Sequence, residues 1–220
     1  MVEIVFQDPE KWIVLKSPAL VSENTPERTG LADLLAAQNN GYAGVVHRLD
    51  RGVGGLMLYA KTPAAAAKYS AMVQEGSLCK EYIALLAGEV PPVGELRDLL
   101  YYDRARNKVF PVRRKRQGVK EALLRYRLEK CGELPGIGKV SLVSVLPITG
   151  RTHQIRVQFA SRGTPIIGDR TYGGPAFPEQ TSGGRILLAC YRLTLSTQEG
   201  ETVFARAPSW IDQLSDYIGT

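Results

Sequence analysis

The sequence predicts an α+β protein: a mixed, mostly antiparallel sheet with a few helices packed against it. Three observations carry this. Segments with strand character outnumber segments with helical periodicity. Neighbouring strand segments often follow one another directly, with no helix between them. Regular βα alternation, the mark of a Rossmann sheet or a TIM barrel, is missing.

Ile4-Val5-Phe6 and Trp12-Ile13-Val14-Leu15 flank Asp8-Pro9-Glu10 and read as a short hairpin. Leu31, Leu34 and Leu35 recur at helical spacing, which predicts a short amphipathic helix over 30–38. The apolar run Leu56-Met57-Leu58-Tyr59-Ala60 reads as a buried strand. Thr62 before Pro63 is an N-cap followed by proline at the first helical position, and Gly76 stops that helix. Strands follow at 80–87, 121–129 and 140–146. Thr149 or Thr152 is expected to open a helix that Gly163 closes, with Ile155 and Phe159 one turn apart. Leu187, Ala189, Tyr191, Leu193 and Leu195 alternate onto one strand face. Ser209 is expected to start a terminal helix with Trp210, Leu214, Tyr217 and Ile218 on one side.

The chain has 220 residues, 44% of them hydrophobic, enough for one domain or two closely joined lobes. No apolar stretch approaches the roughly 20 residues needed to span a bilayer, and the first residues lack a signal-peptide pattern. A cytoplasmic protein with no membrane association is expected. Cys79, Cys131 and Cys190 are odd in number and never form a CxxC pair, which disfavours a disulfide framework or a zinc site and points to buried reduced thiols. Only His47 and His153 are present, so no histidine-rich metal centre is expected either.

The net charge of +6 gains meaning from its distribution. Ten Lys or Arg residues lie between Arg104 and Arg127, against the single acid Glu121. Such clustering fits a phosphate-backbone footprint, centred on Arg113, Arg114, Lys115 and Arg116, or a solvated hairpin that aids solubility.

Three segments concentrate chemistry. His47-Arg48-Leu49-Asp50 places a carboxylate beside basic residues on a loop that runs through Gly52, Gly54 and Gly55 into a strand. Those glycines do not spell a dinucleotide fingerprint, because no GxGxxG opens a helix. Lys80-Glu81-Tyr82 sets a phenol at the head of an apolar strand. Thr149-Gly150-Arg151-Thr152-His153-Gln154-Ile155-Arg156 lies at a strand-to-helix junction, ahead of Gly168-Asp169-Arg170-Thr171-Tyr172-Gly173. Singly, each has a plain structural reading: Tyr82 as a core aromatic, His153 as a local hydrogen-bonding group, and Asp169 with Arg170 as a surface pair worth about 0–1 kcal/mol.

Together the segments resemble the motifs of the RluA-type RNA pseudouridine synthases, in order: HRLD at 47–50 with the run 55–62, KEYIALLAG at 80–88, and TGRTHQIRVQFASRGTPIIGDRTYGG at 149–174. The resemblance implies the catalytic fold of that family over 1–220 as a single domain. Many relatives carry a small RNA-binding domain before it, but the few residues ahead of His47 lead to the expectation of no separate N-terminal RNA-binding domain. It implies isomerisation of uridine to pseudouridine in structured ribosomal or transfer RNA, with no metal or organic cofactor and no obligatory protein partner. Asp50 matches the catalytic carboxylate, Arg156 the arginine that pairs with it, and Tyr82 the aromatic that stacks on the target base. Arg48 matches the residue that fills the space left by the flipped uridine. His47, Arg151, His153 and Ile155 fall within the same motifs as substrate-binding positions, Ile155 as an apolar floor. The three segments are expected to converge.

The chain departs from the pattern at Val53-Gly54-Gly55, where relatives often have Thr-Ser-Gly. It also carries Gln158 where a histidine is usual, and Lys16-Ser17-Pro18 in place of a Lys-Pro pair. An RNA-binding or chaperone module of the same fold is the alternative reading. An aspartate-based hydrolase would need a second carboxylate or metal ligands near Asp50, and the sequence offers none there.

Overall fold

The computed structural model describes residues 2–25, 28–177, 185–214 and 217–218. The chain divides into two compact units, one of Met1–Glu81 with Ala189–Pro208, the other of Tyr82–Leu188 with Ser209–Thr220. Both are α+β. Among the described residues no helix is long and apolar enough to cross a membrane.

In the first unit, β1 (Glu3–Gln7) and β2 (Lys11–Lys16) form the expected hairpin. The Asp8 carboxylate closes its turn by accepting from the Glu10 and Lys11 N–H groups at 2.9 and 2.8 Å. Helix α1 (Leu31–Ala36) buries Leu31 and Leu35, and β3 (Gly44–Val45) adds a short edge to β4 (Gly54–Ala60). Helix α2 (Pro63–Glu75) starts and stops where the sequence indicates. Thr62 Oγ1 accepts from the Ala65 N–H, Pro63 follows, and Gly76 ends the helix in the left-handed region at φ 79°. β5 (Leu78–Ala87) begins in this unit and ends in the other. β4 lies between antiparallel β2 and parallel β10 (Leu188–Thr197), and β11 (Gly200–Ala205) pairs antiparallel with β10. The parallel β4–β10 pair makes the architecture mixed.

The second unit is an antiparallel run of the rest of β5, β9 (Gly138–Pro147), β8 (Val119–Leu134), β6 (Val93–Asp103) and β7 (Lys108–Val112). Helix α3 (Gln154–Ala160) packs on β6 and β7.

Two expected helix boundaries differ. Neither Thr149 nor Thr152 caps α3. The cap position is His153, in the left-handed region at φ 51°, with no side-chain capping bond. Thr149 is held instead by β8, where its Oγ1 accepts from the Leu123 N–H at 2.9 Å. The terminal helix from Ser209 is reduced to a turn and a 3-10 segment at Asp212–Leu214, because one tight turn already buries Trp210 and Leu214. Ile218 then bridges to Gly132, where a Cβ would lie 2.0 Å from the Tyr217 carbonyl oxygen. All three cysteines are free, but only Cys190 is buried; Cys131 faces solvent on β8.

Candidate active site

In the first unit, Asp50 sits half-buried on the loop before β4, a strand buried along its whole length. Gly55 permits this placement. Its φ is +121°, and a Cβ there would lie 2.3 Å from the Cys190 carbonyl oxygen of parallel β10. A Cβ on Gly54 would press on Pro18 at 3.2 Å. The departure at 53–55 therefore suits a strand clamped between close backbone neighbours.

The loop itself is tied down on every side. Val53 N–H donates to the Asp50 carbonyl at 2.9 Å, and Ala19 N–H to the Arg51 carbonyl at 2.8 Å. Ser22 Oγ both donates to the Leu49 carbonyl and accepts from the Leu49 N–H. Lys16 is buried, and its ammonium donates to the carbonyls of Ser17, Leu20 and Arg51 at 3.1, 2.8 and 3.4 Å. Burial pulls the Lys16 pKa down to about 8, against the opposing pull of the Asp50 charge. Sequence reading named Lys16 only within the departure from a Lys-Pro pair and gave it no role, because nothing in the residue type foretells that a lysine will be enclosed.

His47 turns inward and Arg48 outward. The His47 ring is buried, and its Nε2 accepts the Leu58 N–H at 3.1 Å. Burial, with the nearby Lys80 charge, pushes its pKa down to about 3, so the ring is neutral and anchors the loop to β4. Arg48 is exposed and reaches Glu23 at 3.2 Å.

In the second unit, Tyr82 is buried and lies opposite Val145 on β9. The loop Thr149–His153 is pinned to β8. Gln154 Oε1 accepts from Thr149 Oγ1 and the Arg151 N–H, and its Nε2 donates to the Leu123 carbonyl. Arg151 Nε donates to the Glu121 carbonyl at 2.9 Å. Ile155 is buried on α3.

Arg156, 6% exposed, meets Asp169, 1% exposed, in a bidentate pair: Nε to Oδ2 at 2.7 Å and Nη2 to Oδ1 at 2.9 Å. Asp169 is therefore an internal partner of Arg156. The glycine-bound turn 168–174 points it inward, with the Gly174 N–H donating to the Asp169 carbonyl at 2.8 Å. A Cβ on Gly174 would lie 1.9 Å from the Ile166 carbonyl oxygen, so this turn tolerates only glycine there. The Tyr172 ring lies against the Arg156 guanidinium at 5.1 Å, and its Oη is 2.9 Å from His153 Nδ1. Sequence reading assigned no role to Tyr172. Gln158, fully buried, faces another way: its Nε2 donates to the Leu96 carbonyl and to Asp98 Oδ2, tying α3 to β6.

The basic segment forms β7, the loop 113–118 and the first half of β8. Arg113 and Arg114 are exposed, with no ion pair among the described residues. Lys115 pairs with Glu121, and Arg116 stacks over Tyr101 at 4.9 Å. Arg125 and Arg127 pair with Glu95 and Glu129, acids outside the 104–127 window. The most positive part is thus the loop and hairpin end rather than the whole stretch.

Residues 9–161 match the family model described as RNA pseudouridylate synthase. The chain belongs to this family. It is 31% identical over 203 residues to the dual-specificity RNA pseudouridine synthase RluA of Haemophilus ducreyi, covering 88% of this chain and 86% of that one. It is 33% identical over 184 residues to ribosomal large subunit pseudouridine synthase D of Neisseria meningitidis, covering 76% of this chain but only 45% of the relative's length. These relatives place it among the RluA-type members. The solved structure of human RNA pseudouridylate synthase domain containing 1 superposes with a TM-score of 0.80 over 100% of this chain and 89% of that one, at 24% identity, a likeness of fold.

Proposed function

We propose that this pseudouridine synthase family member isomerises uridine to pseudouridine in structured ribosomal or transfer RNA, with Asp50 as the catalytic carboxylate. The observation that carries the reading is the Asp50 loop. A half-buried carboxylate stands on a loop whose neighbours are fixed by Lys16, Ser22 and neutral His47. Such a mounting keeps one acidic side chain in a fixed place, as a positioned catalytic group requires.

The reaction is an isomerisation, so atoms balance within the nucleoside. The N1–C1′ bond breaks, the uracil turns, and a C5–C1′ bond forms. The C5 hydrogen leaves as a proton, and N1 gains one. Asp50 acts either by attack on the nucleoside or by removing the C2′ proton. Tyr82 is assigned to stacking on the base and to the C5 proton transfer, and Arg156 to steadying negative charge. Arg48 is assigned the space vacated by the flipped nucleotide, with His47, Arg151, His153 and Ile155 shaping the substrate contacts. Arg113, Arg114, Lys115 and Arg116 supply phosphate contacts.

The test uses ribosomal large-subunit and transfer RNA transcripts tritiated at uridine C5, which lose tritium as pseudouridine forms. The wild-type chain is expected to release tritium, and Asp50→Asn to bind RNA and release none. Wild-type release by Asp50→Asn refutes the assigned carboxylate. A wild-type chain that binds both RNAs and modifies neither supports the RNA-binding module instead.

A further inference from the structure

Tyr172 touches two features that the proposed function treats separately. Its phenol oxygen accepts the Val109 N–H at 2.8 Å. Val109 belongs to β7, the end strand of the sheet, which leads directly into the basic loop 113–118. The Lys108 ammonium stands over the same ring at 5.4 Å, and the ring packs against Leu100, Val109, Ala122 and Val157. The Arg156 guanidinium also lies against that ring. Asp169 grips one edge of the guanidinium, and the Tyr172 ring adds a second contact to it.

We infer that Tyr172 is a positioning residue that couples RNA contact at the basic loop 113–118, which follows β7, to the aim of the Arg156 guanidinium. The inference rests on the proposed function for the meaning of both ends. The physical route is short: one hydrogen bond from β7 to the phenol, and one ring-to-cation contact from the phenol to Arg156. A phosphate-bound loop holds β7 still, β7 holds the hydroxyl, and the ring then steadies the guanidinium. A misplacement of a charged group by about 1 Å can cost roughly 100-fold in rate, so a partial loosening of this route is expected in kcat.

The experiment is a cycle on a ribosomal large-subunit RNA transcript. Tyr172→Phe keeps the ring on Arg156 and removes the hydroxyl, with its contacts to the Val109 N–H and to His153 Nδ1. It is expected to lower kcat about tenfold and to leave the RNA Kd within about twofold, since no phosphate contact is lost. Replacing Arg113, Arg114, Lys115 and Arg116 by Ala is expected to weaken binding and lower kcat in the wild-type background. In the Tyr172→Phe background it is expected to weaken binding alone. Losses in kcat that multiply in the combined variant overturn the coupling. A second measurement needs no variant: hydrogen exchange at the Val109 amide is expected to slow when the transcript saturates the wild-type chain. Unchanged exchange with RNA bound overturns the inference. A chain that binds RNA without modifying it strikes the proposed activity alone, and the exchange measurement still decides the coupling.

Discussion

Asp50 lies half-buried on a loop of the first unit, whereas Asp169 in the second is 1% exposed and gives both oxygens to the Arg156 guanidinium. The loop around Asp50 is secured by other groups: the Ser22 hydroxyl, the Lys16 ammonium and the His47 ring. Asp169 is itself the fastening, with its backbone closing a glycine turn and its carboxylate holding a helix. The same side chain thus serves in one place as something held and in the other as something that holds. The two should fail in different ways when neutralised.

The largest expected effect is on catalysis at Asp50. Asp50→Asn should lower the rate of pseudouridine formation by at least about 10³-fold, while its stability cost in urea denaturation stays below that of neutralising Asp169. Asp169→Asn should reverse the emphasis. It takes the charge of the bidentate carboxylate away from a buried guanidinium, which costs about 3–5 kcal/mol of stability. Urea denaturation measures this, and a loss below about 1 kcal/mol would show that the pair behaves like a surface ion pair and would break the comparison.

How much of this was legible in the residues differs between the two aspartates. Asp50 stood in a motif whose residues are contiguous, and the strand after it could be read from its apolar run. Asp169 was read beside Arg170, its neighbour in sequence, whereas its partner lies 13 residues earlier on α3. The signal available was the spacing of Gly168, Gly173 and Gly174, which demands a turn too tight for a surface loop of ordinary residues. Helix α2 was legible to the residue because Thr62, Pro63 and Gly76 act locally. β6 and the end of the chain were not. β6 carries charges on its exposed face that mask its alternation, and the spacing of Trp210 and Leu214 fits a single turn as well as a helix. The count of ten cations was accurate but overstated the patch, since Glu95 and Glu129 come from outside the counted window.

The exposed loop offers a third way of holding charge, with Arg113 and Arg114 exposed beside a paired Lys115 and a stacked Arg116. If Arg113, Arg114, Lys115 and Arg116 each meet a phosphate, replacing them by Ala should reduce the slope of log K against log salt by about 3. Filter binding across a salt series reads this directly, and an unchanged slope would remove the loop from the interface.

The smallest expected effect sharpens what stands behind Asp50. His47 is buried with Nε2 accepting the Leu58 N–H, and protonating that nitrogen would break the bond and bury a positive charge within reach of Lys80. Its pKa is therefore pushed from 6.5 down to about 3 in the folded chain. Between those values the unfolded chain holds a proton that the folded chain refuses, so stability is complete above pH 6.5 and declines as the pH falls toward 3. The slope approaches about 1.4 kcal/mol per pH unit for this one group. Carboxylates titrate in part of the same range, so the contribution of His47 is the difference between the wild type and His47→Gln, a side chain that can still accept from Leu58 but cannot take the proton. Urea denaturation at pH 7.5 and pH 5 should show the wild type losing about 2 kcal/mol more than the variant. Equal losses would mean that the imidazole can be charged in place, and the Asp50 loop would then rest on a titrating support rather than a neutral one.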